Sequence, residues 1–398
     1  MKTKLLFIMP GLGAGGGEKS LVTMLSQIDY TKFEVDLFLF NHEGIFMNAL
    51  PNEVNVIKHQ ENYSAFTQPL LLSLKVLFAA SNYRLLLNRI LFSLRNQYRK
   101  GSSTTEQYTW RFVSKSMERL QSRYDAAIGF LEKSSIYCCV DKVDAAKKIG
   151  WIHNDYDKLD MDAAFDEKYF NQLDQIVTVS EECEQVLKKR FPRHAGKIST
   201  IYNIVSPRLI KKMGQMTDGD IFARKEDEII LLSIGRLHSQ KGFDLAIETC
   251  ARLIEDGINV RWFIIGEGEE RDSLAKAIRK HKVEQHFILL GLKENPYPYI
   301  EQCDIYVQPS RYEGKSIAVD EAKILGKPIV VTDFSTVKDQ IQHGLNGVIA
   351  PMNAFELASG IKELIVNRDK SNEMSIRLSN EKLGTEEEIY KLYKLVGG

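Results

Sequence analysis

Short apolar runs alternate with helix-patterned stretches along the whole chain, and this alternation narrows the possible folds more than any other feature. Strands are expected near 5–9, 35–40, 54–58, 126–130, 148–153, 175–179 and 198–202. A second block follows near 229–234, 260–265, 287–290, 305–308, 329–331 and 347–349. Several of these runs are continuously apolar, as parallel strands covered on both faces must be. Helical patterns such as 245–256 and 271–282 lie between them. Two blocks of strand–helix alternation imply an α/β protein of two doubly wound, Rossmann-like domains. The first is expected at 1–205 and the second at 206–382, with the polar stretch 206–227 as the linker and a last helix near 385–395.

Composition sets outer limits. A chain of 398 residues with 44% hydrophobic and 27% charged residues suits two soluble domains of ordinary size. The formal net charge is zero, so the chain as a whole carries no nucleic-acid signature and any charged partner must meet a local patch. The five cysteines, Cys138, Cys139, Cys183, Cys250 and Cys303, form no C-x2-C spacing, which argues for reduced thiols rather than a zinc site or a disulfide frame. The apolar run at 5–9 is too short for a signal sequence and ends at Pro10, so it reads as a first strand. No stretch approaches the ~18 apolar residues of a membrane span. A cytoplasmic protein is expected, peripheral if it meets a membrane at all.

The chemistry concentrates after the strand at 305–308. Pro309 and Gly314 stop that strand, and a helix is expected to follow, which puts Glu313 on the loop and Glu321 about two turns into the helix. A helix start offers unpaired N–H groups to a phosphate. Two flanking carboxylates can accept hydrogen bonds from sugar hydroxyls, so the combination suits a nucleotide-sugar. Upstream, Arg236 and Lys241 flank the strand-to-helix turn after 229–234, where two fixed cations can hold a diphosphate without a metal.

With these elements the chain resembles the retaining GT-B glycosyltransferases of family 4, of the bacterial surface-polysaccharide type. That family carries G-R-L…K-G, then G-x-G, then E-x7-E. Here the three are Gly235-Arg236-Leu237 with Lys241-Gly242, Gly266-Glu267-Gly268, and Glu313 with Glu321. The resemblance implies a GT-B fold of two Rossmann-like domains facing a central cleft, with the donor on the second domain and the acceptor on the first. It also implies that the last helix, within 383–398, returns to the first domain. By resemblance, Glu321 accepts from the ribose hydroxyls and Glu313 from the donor sugar. Gly266 and Gly268 belong to the donor site. Gly314, Lys315, Ser316 and Ile317 complete the phosphate and sugar contacts through backbone amides. Lys315-Ser316 departs from the small or apolar pair of many members, which leaves the donor sugar open and offers Lys315 as a further phosphate contact.

The glycine-rich turn at 11–17 admits two readings. Gly11, Gly13 and Gly16 match a dinucleotide-binding G-x-G-x-x-G, but the second strand ends at Asn41-His42 with Glu43 the nearest carboxylate, which weakens that reading. A P-loop is excluded because Glu18 occupies a required glycine position. In the glycosyltransferase reading Gly16, Gly17 and Glu18 match a G-G-x-E turn that approaches the donor diphosphate and the acceptor. His153 ends a strand at the C-terminal edge of a parallel sheet, where α/β sites form, and relatives place a histidine there against the donor sugar. Asp-x-Asp triplets at 155/157, 160/162 and 218/220 occur at chance frequency, and no metal or other cofactor is expected.

One segment is anomalous. From Asn62 to Thr105 there is no acid, against six cations: Lys75, Arg84, Arg89, Arg95, Arg99 and Lys100. Within it, 83–99 is amphipathic at helical spacing, with Arg84, Asn88, Arg95 and Arg99 on one face. Tyr83, Leu87, Ile90, Leu94 and Tyr98 lie opposite. The expectation is a basic interfacial helix on anionic lipid, with Arg84, Arg89, Arg95 and Arg99 as membrane contacts. The expected activity is transfer of a sugar from a nucleotide-sugar, a UDP-sugar foremost, to a lipid-linked or polysaccharide acceptor at the inner face of the plasma membrane. The alternatives are a dinucleotide-dependent oxidoreductase using the 11–17 turn, and a non-catalytic partner subunit of the same fold.

Overall fold

The computed structural model describes every residue except 1, 14, 99–103, 217–218 and 398. The chain forms two compact α/β units. One comprises residues 1–13, 24–201 and 389–398, and the other residues 14–23 and 202–388.

The first unit holds a seven-stranded parallel sheet. Its strands are β1 (Thr3–Met9), β2 (Phe33–Leu39), β3 (Asn55–Val56), β4 (Arg123–Gly129), β5 (Asp144–Ile152), β6 (Gln175–Thr178) and β7 (Ile198–Thr200). The spatial order is β3-β2-β1-β4-β5-β6-β7. Residues 5–9 of β1 are fully buried, as a central strand under helices on both faces requires. The C-terminal helix Glu388–Val396 adds to this unit: Tyr393 stacks on Phe33 at 4.8 Å between ring centroids. The Tyr393 hydroxyl accepts from the Asp29 amide at 2.8 Å.

The second unit holds six parallel strands: β8 (Ile229–Ile234), β9 (Val260–Ile265), β10 (Phe287–Gly291), β11 (Ile305–Gln308), β12 (Ile329–Thr332) and β13 (Val348–Ala350). Their order is β10-β9-β8-β11-β12-β13. Chain order reverses between β1 and β4 in one sheet and between β8 and β11 in the other. Loops diverge at such a switch point and leave a crevice at the strands' carboxyl ends.

Two local expectations are corrected. The 206–227 stretch is not simply a linker: Pro207–Gly214 is a helix, with Pro at its first position and Ile210 buried. β5 begins at Asp144, before the apolar run, because its polar start completes the ladder Arg123↔Asp144 with β4.

After α1 (Gly16–Leu25), the described part of the acid-free segment lies in the first three of four consecutive helices, and the fourth begins at its last residue. These are α2 (Glu61–Thr67), α3 (Leu70–Ala79), α4 (Tyr83–Tyr98) and α5 (Thr105–Val113). Phe66, Leu77, Leu85 and Phe112 form their own small core. The expected role of Arg89 is overturned. It is buried, its Nε donates to the Phe66 carbonyl at 2.7 Å, and its guanidinium lies against the Phe66 and Phe92 rings. Asn88, expected on the outer basic face, is also buried and donates to the Phe112 carbonyl at 2.6 Å. Arg95 is half-buried, with its guanidinium 5.6 Å from the Tyr108 ring centre, while Arg84 is exposed. Arg99 lies outside the described residues. A buried cation with carbonyl acceptors is stable where a lipid-facing one was expected, because the helix turns its polar groups inward to carbonyls left over at the ends of α2 and α5.

Candidate active site

The second unit assembles its charged groups at the switch point. Lys241 follows β8 and Glu313 follows the adjacent β11, and Lys241 Nζ lies 2.6 Å from Glu313 Oε1. The Ser310 hydroxyl donates to the same oxygen at 2.6 Å, with Gln308 Nε2 at 3.4 Å. Glu313 is buried, and a buried carboxylate must be held by such partners. The two loops are tied together by Arg311, which forms a bidentate pair with Asp244 at 2.9 and 2.6 Å. Gly242 allows this approach: its φ is +64°, and a Cβ there would overlap the Pro309 carbonyl oxygen. Arg236 is on the same β8 turn but is mostly exposed, 3.4 Å from Glu269.

Glu321 is buried in the helix Ile317–Ile324. Its Oε1 accepts from the Tyr297 hydroxyl at 3.0 Å and pairs with Lys19, whose ammonium stands 4.7 Å from the Tyr297 ring centre. Burial pulls the Lys19 ammonium down, but Glu321 and Tyr297 more than offset this and hold it charged, above its ordinary range. Lys19 sits one turn after Gly16 and Gly17, which open α1. Gly16, Gly17, Lys19 and Glu321 therefore belong to the same unit.

Other expected contacts are already engaged by the protein. The Ser316 amide donates to Gln340 Oε1 at 2.8 Å, and the Ser316 hydroxyl caps the helix by accepting from Val319. Lys315 Nζ lies 4.1 Å from the Tyr202 ring centre and 3.7 Å from Asp320. Gly266 and Gly268 serve the fold first. A Cβ on Gly266 would overlap the Gly235 carbonyl oxygen, and one on Gly268 that of Leu237. Their close approach shapes the Arg236 turn, together with the bond from the Leu237 amide to the Glu267 carbonyl at 3.0 Å. Gly16 differs: a Cβ there would meet nothing within 4 Å.

In the first unit, His153 follows β5 and is buried. Its amide donates to Glu132 Oε2 at 3.1 Å, and Asn154 Nδ2 donates to Glu132 Oε1 at 2.6 Å. The His153 ring packs on Phe130 and Trp151, and its Nε2 is buried with no hydrogen-bond partner among the described residues. Burial among aromatics pushes its pKa down to about 3, so the ring is neutral. Three of the Asp-x-Asp aspartates act as caps and turn acceptors, and Asp157 pairs with Arg190 at 2.8 Å. Asp155 accepts from the Asp157 amide, Asp162 from Ala164 and Phe165, and Asp220 from Phe222 and Arg224. Asp218 lies outside the described residues.

Lys19, Tyr297, Ser310, Gln340 and Glu132 are the participants that sequence reasoning missed. Lys19 and Ser310 lie inside motifs that drew attention for other residues. Tyr297, Gln340 and Glu132 carry no local signal, since each matters only through a partner between 21 and 24 positions away.

Residues 217–379 match the family model for glycosyl transferases group 1. An uncharacterized glycosyltransferase of Haemophilus influenzae is 30% identical over 220 residues, covering 54% of this chain and 59% of the relative. Among such curated relatives the chain spans about half of their length, with 42% and 55% in two others. A longer match is to the N-acetylgalactosamine-N,N'-diacetylbacillosaminyl-diphospho-undecaprenol 4-alpha-N-acetylgalactosaminyltransferase of Campylobacter jejuni. It is 26% identical over 336 residues, which is 84% of this chain and 81% of the relative. The crystal structure of Anabaena HepE in complex with UDP-glucose superposes with a TM-score of 0.70 at 16% identity, over 99% of both chains. The fold is GT-B, and residues 217–379 of the chain are similar to the group 1 glycosyl transferases.

Proposed function

We propose that this protein is a retaining glycosyltransferase that moves a sugar from a UDP-sugar to a lipid-linked or polysaccharide acceptor, in surface-glycan biosynthesis at the cytoplasmic face of a membrane. The donor lies on the second unit and the acceptor on the first. The observation that carries the reading is the Lys241–Glu313 pair at the β8/β11 switch point. A lysine ammonium has three donors; one serves Glu313, leaving two for a phosphate.

In the proposed reaction the bond from the sugar's anomeric carbon to the diphosphate oxygen breaks, and the acceptor hydroxyl oxygen bonds to that carbon on the same face. The hydroxyl proton passes to the departing diphosphate. Negative charge grows on that diphosphate, and Arg236 and Lys241 stabilise it in the transition state without a metal. Glu313 accepts from a donor-sugar hydroxyl. Glu321 accepts from the ribose through Oε2, since its Oε1 serves Tyr297 and Lys19. His153 offers a neutral Nε2 that has no hydrogen-bond partner among the described residues. Support for the substrate classes comes from relatives: HepE crystallised with UDP-glucose, and the Campylobacter enzyme is named for a diphospho-undecaprenol acceptor.

The test is thermal protection by ligands. A uridine diphosphate at ~100 times its Kd should stabilise the fold by about 2.7 kcal/mol, while NAD and NADP should not. UDP-sugar turnover should survive a chelator. Protection by a nicotinamide cofactor and none by any nucleoside diphosphate would overturn the reading.

A further inference from the structure

The α3–α4 hairpin is apolar on the wrong side for a soluble helical layer. Its inner face contributes Leu77 and Leu85 to the small core beneath, and α4 buries Asn88 and Arg89 there as well. Its outer face is a ridge of large apolar side chains. Leu71 is 84% exposed, Phe78 64%, Tyr83 59%, Leu94 59% and Leu87 58%. Tyr83, Leu87 and Leu94 recur at i, i+4 and i+11, so they form one stripe along α4, and Leu91 lies between them. Phe78 and Tyr83 meet edge to face at 5.9 Å and join the stripe to α3.

Two observations identify what covers this ridge. Its charge is one-sided: no acid occurs from 62 to 105, and Lys75 and Arg84 are exposed on the two helices that carry the ridge. Leucines flanked by cations, with a tyrosine and a phenylalanine at the turn, match the layered chemistry of a bilayer surface, where apolar side chains enter the acyl region and cations meet anionic headgroups. We propose that the outer face of the α3–α4 hairpin is a membrane-insertion surface. Leu71, Leu87 and Leu94 enter the interface, and Lys75 and Arg84 contact anionic lipid. The inference deepens the membrane-face part of the function proposed above and needs none of its transfer chemistry. It also replaces charge-driven adsorption through arginines with insertion of leucines, so salt should weaken binding but not abolish it.

The experiment uses the full chain and phosphatidylcholine vesicles with and without phosphatidylglycerol. Wild type should co-sediment with the mixed vesicles, and a fraction should stay bound at high salt. The emission of a Tyr83→Trp variant should shift to the blue on binding. The triple variant Leu71→Ser, Leu87→Ser, Leu94→Ser should bind at least roughly tenfold more weakly, the scale for removing several partly inserted leucines. Its melting temperature should be unchanged, because those side chains are exposed. Lys75→Gln with Arg84→Gln should reduce only the preference for anionic vesicles. Absence of vesicle binding at low salt, or binding unaffected by the triple variant, overturns the proposal. So does a wild-type dimer that the triple variant converts to monomer with no effect on vesicles, since a second copy would then own the ridge. Turnover of a UDP-sugar with a water-soluble acceptor, measured in parallel, separates the two proposals. Turnover without vesicle binding removes only the docking surface, and vesicle binding without turnover removes only the transferase reading.

Discussion

Lys241 Nζ and Glu313 Oε1 are 2.6 Å apart, the cation four-fifths buried and the carboxylate almost wholly so. The pair holds the turn after β8 to the loop after β11. Lys241→Ala would strand a buried carboxylate and should cost about 2–3 kcal/mol of stability as well as turnover. Pairing it with Glu313→Gln should recover most of the stability and none of the activity. A double-mutant cycle on chemical melts and UDP-sugar turnover separates the two effects. Stability unchanged in Lys241→Ala would show that the pair does not brace the loops.

Arg236 should behave differently although it shares the turn. Its side chain is mostly exposed, beside an equally exposed Glu269. Arg236→Ala should leave the melting temperature within experimental scatter. Turnover should fall by roughly two to four kcal/mol of transition-state stabilisation. Near-normal kcat/KM in this variant would remove Arg236 from the diphosphate site.

Glu321 is committed to Tyr297 and Lys19 through Oε1. Glu321→Ala should weaken the thermal protection given by UDP by about tenfold in Kd, the scale of one hydrogen bond to a charged acceptor. Isothermal titration with UDP reads this directly, and unchanged affinity would place the ribose elsewhere.

The buried His153 makes a pH prediction. Its pKa falls from 6.5 to about 3 because burial disfavours the charged ring. The folded state therefore binds its proton less well than the unfolded chain. The full stability is present above pH ~6.5 and declines as pH drops from there toward 3, by up to ~1.4 kcal/mol per unit. Urea melts from pH 7 to 5 should show the decline, and His153→Asn should flatten it. The turnover profile over the same range should contain no step from this residue.

Two glycines should part company on substitution. Gly266→Ala would drive a Cβ into the Gly235 carbonyl oxygen at a φ of +156°, and should cost about 3 kcal/mol or more. Beyond its own helix and chain neighbours, a Cβ in Gly16→Ala meets no atom of the described residues within 4 Å, so the fold should tolerate it. Loss of turnover in Gly16→Ala at an unchanged melting temperature would mean that the empty space belongs to substrate. Full activity would mean the glycine is incidental.

The amino-acid sequence by itself determined the repeated strands and helices, the two parallel sheets, the positions of Arg236, Lys241 and Glu313 in the loops after their strands, and that of Glu321 in the helix that follows. Buried parallel strands need continuous apolar runs, and site residues there follow those strands directly, so both leave local marks. Tertiary structure alone decided which of these charges meet. The Lys241–Glu313 pair spans 72 positions, and Lys19 reaches Glu321 across some 300. No periodicity encodes such distances. It also decided which face of α4 turns inward. Helical spacing separates the leucines of Tyr83–Tyr98 from its polar residues, but the two faces are equivalent until neighbours choose between them. Here the carbonyls of Phe66 and Phe112 took Arg89 and Asn88 and left Leu87 and Leu94 outside, because an unpaired buried carbonyl costs more than an exposed leucine.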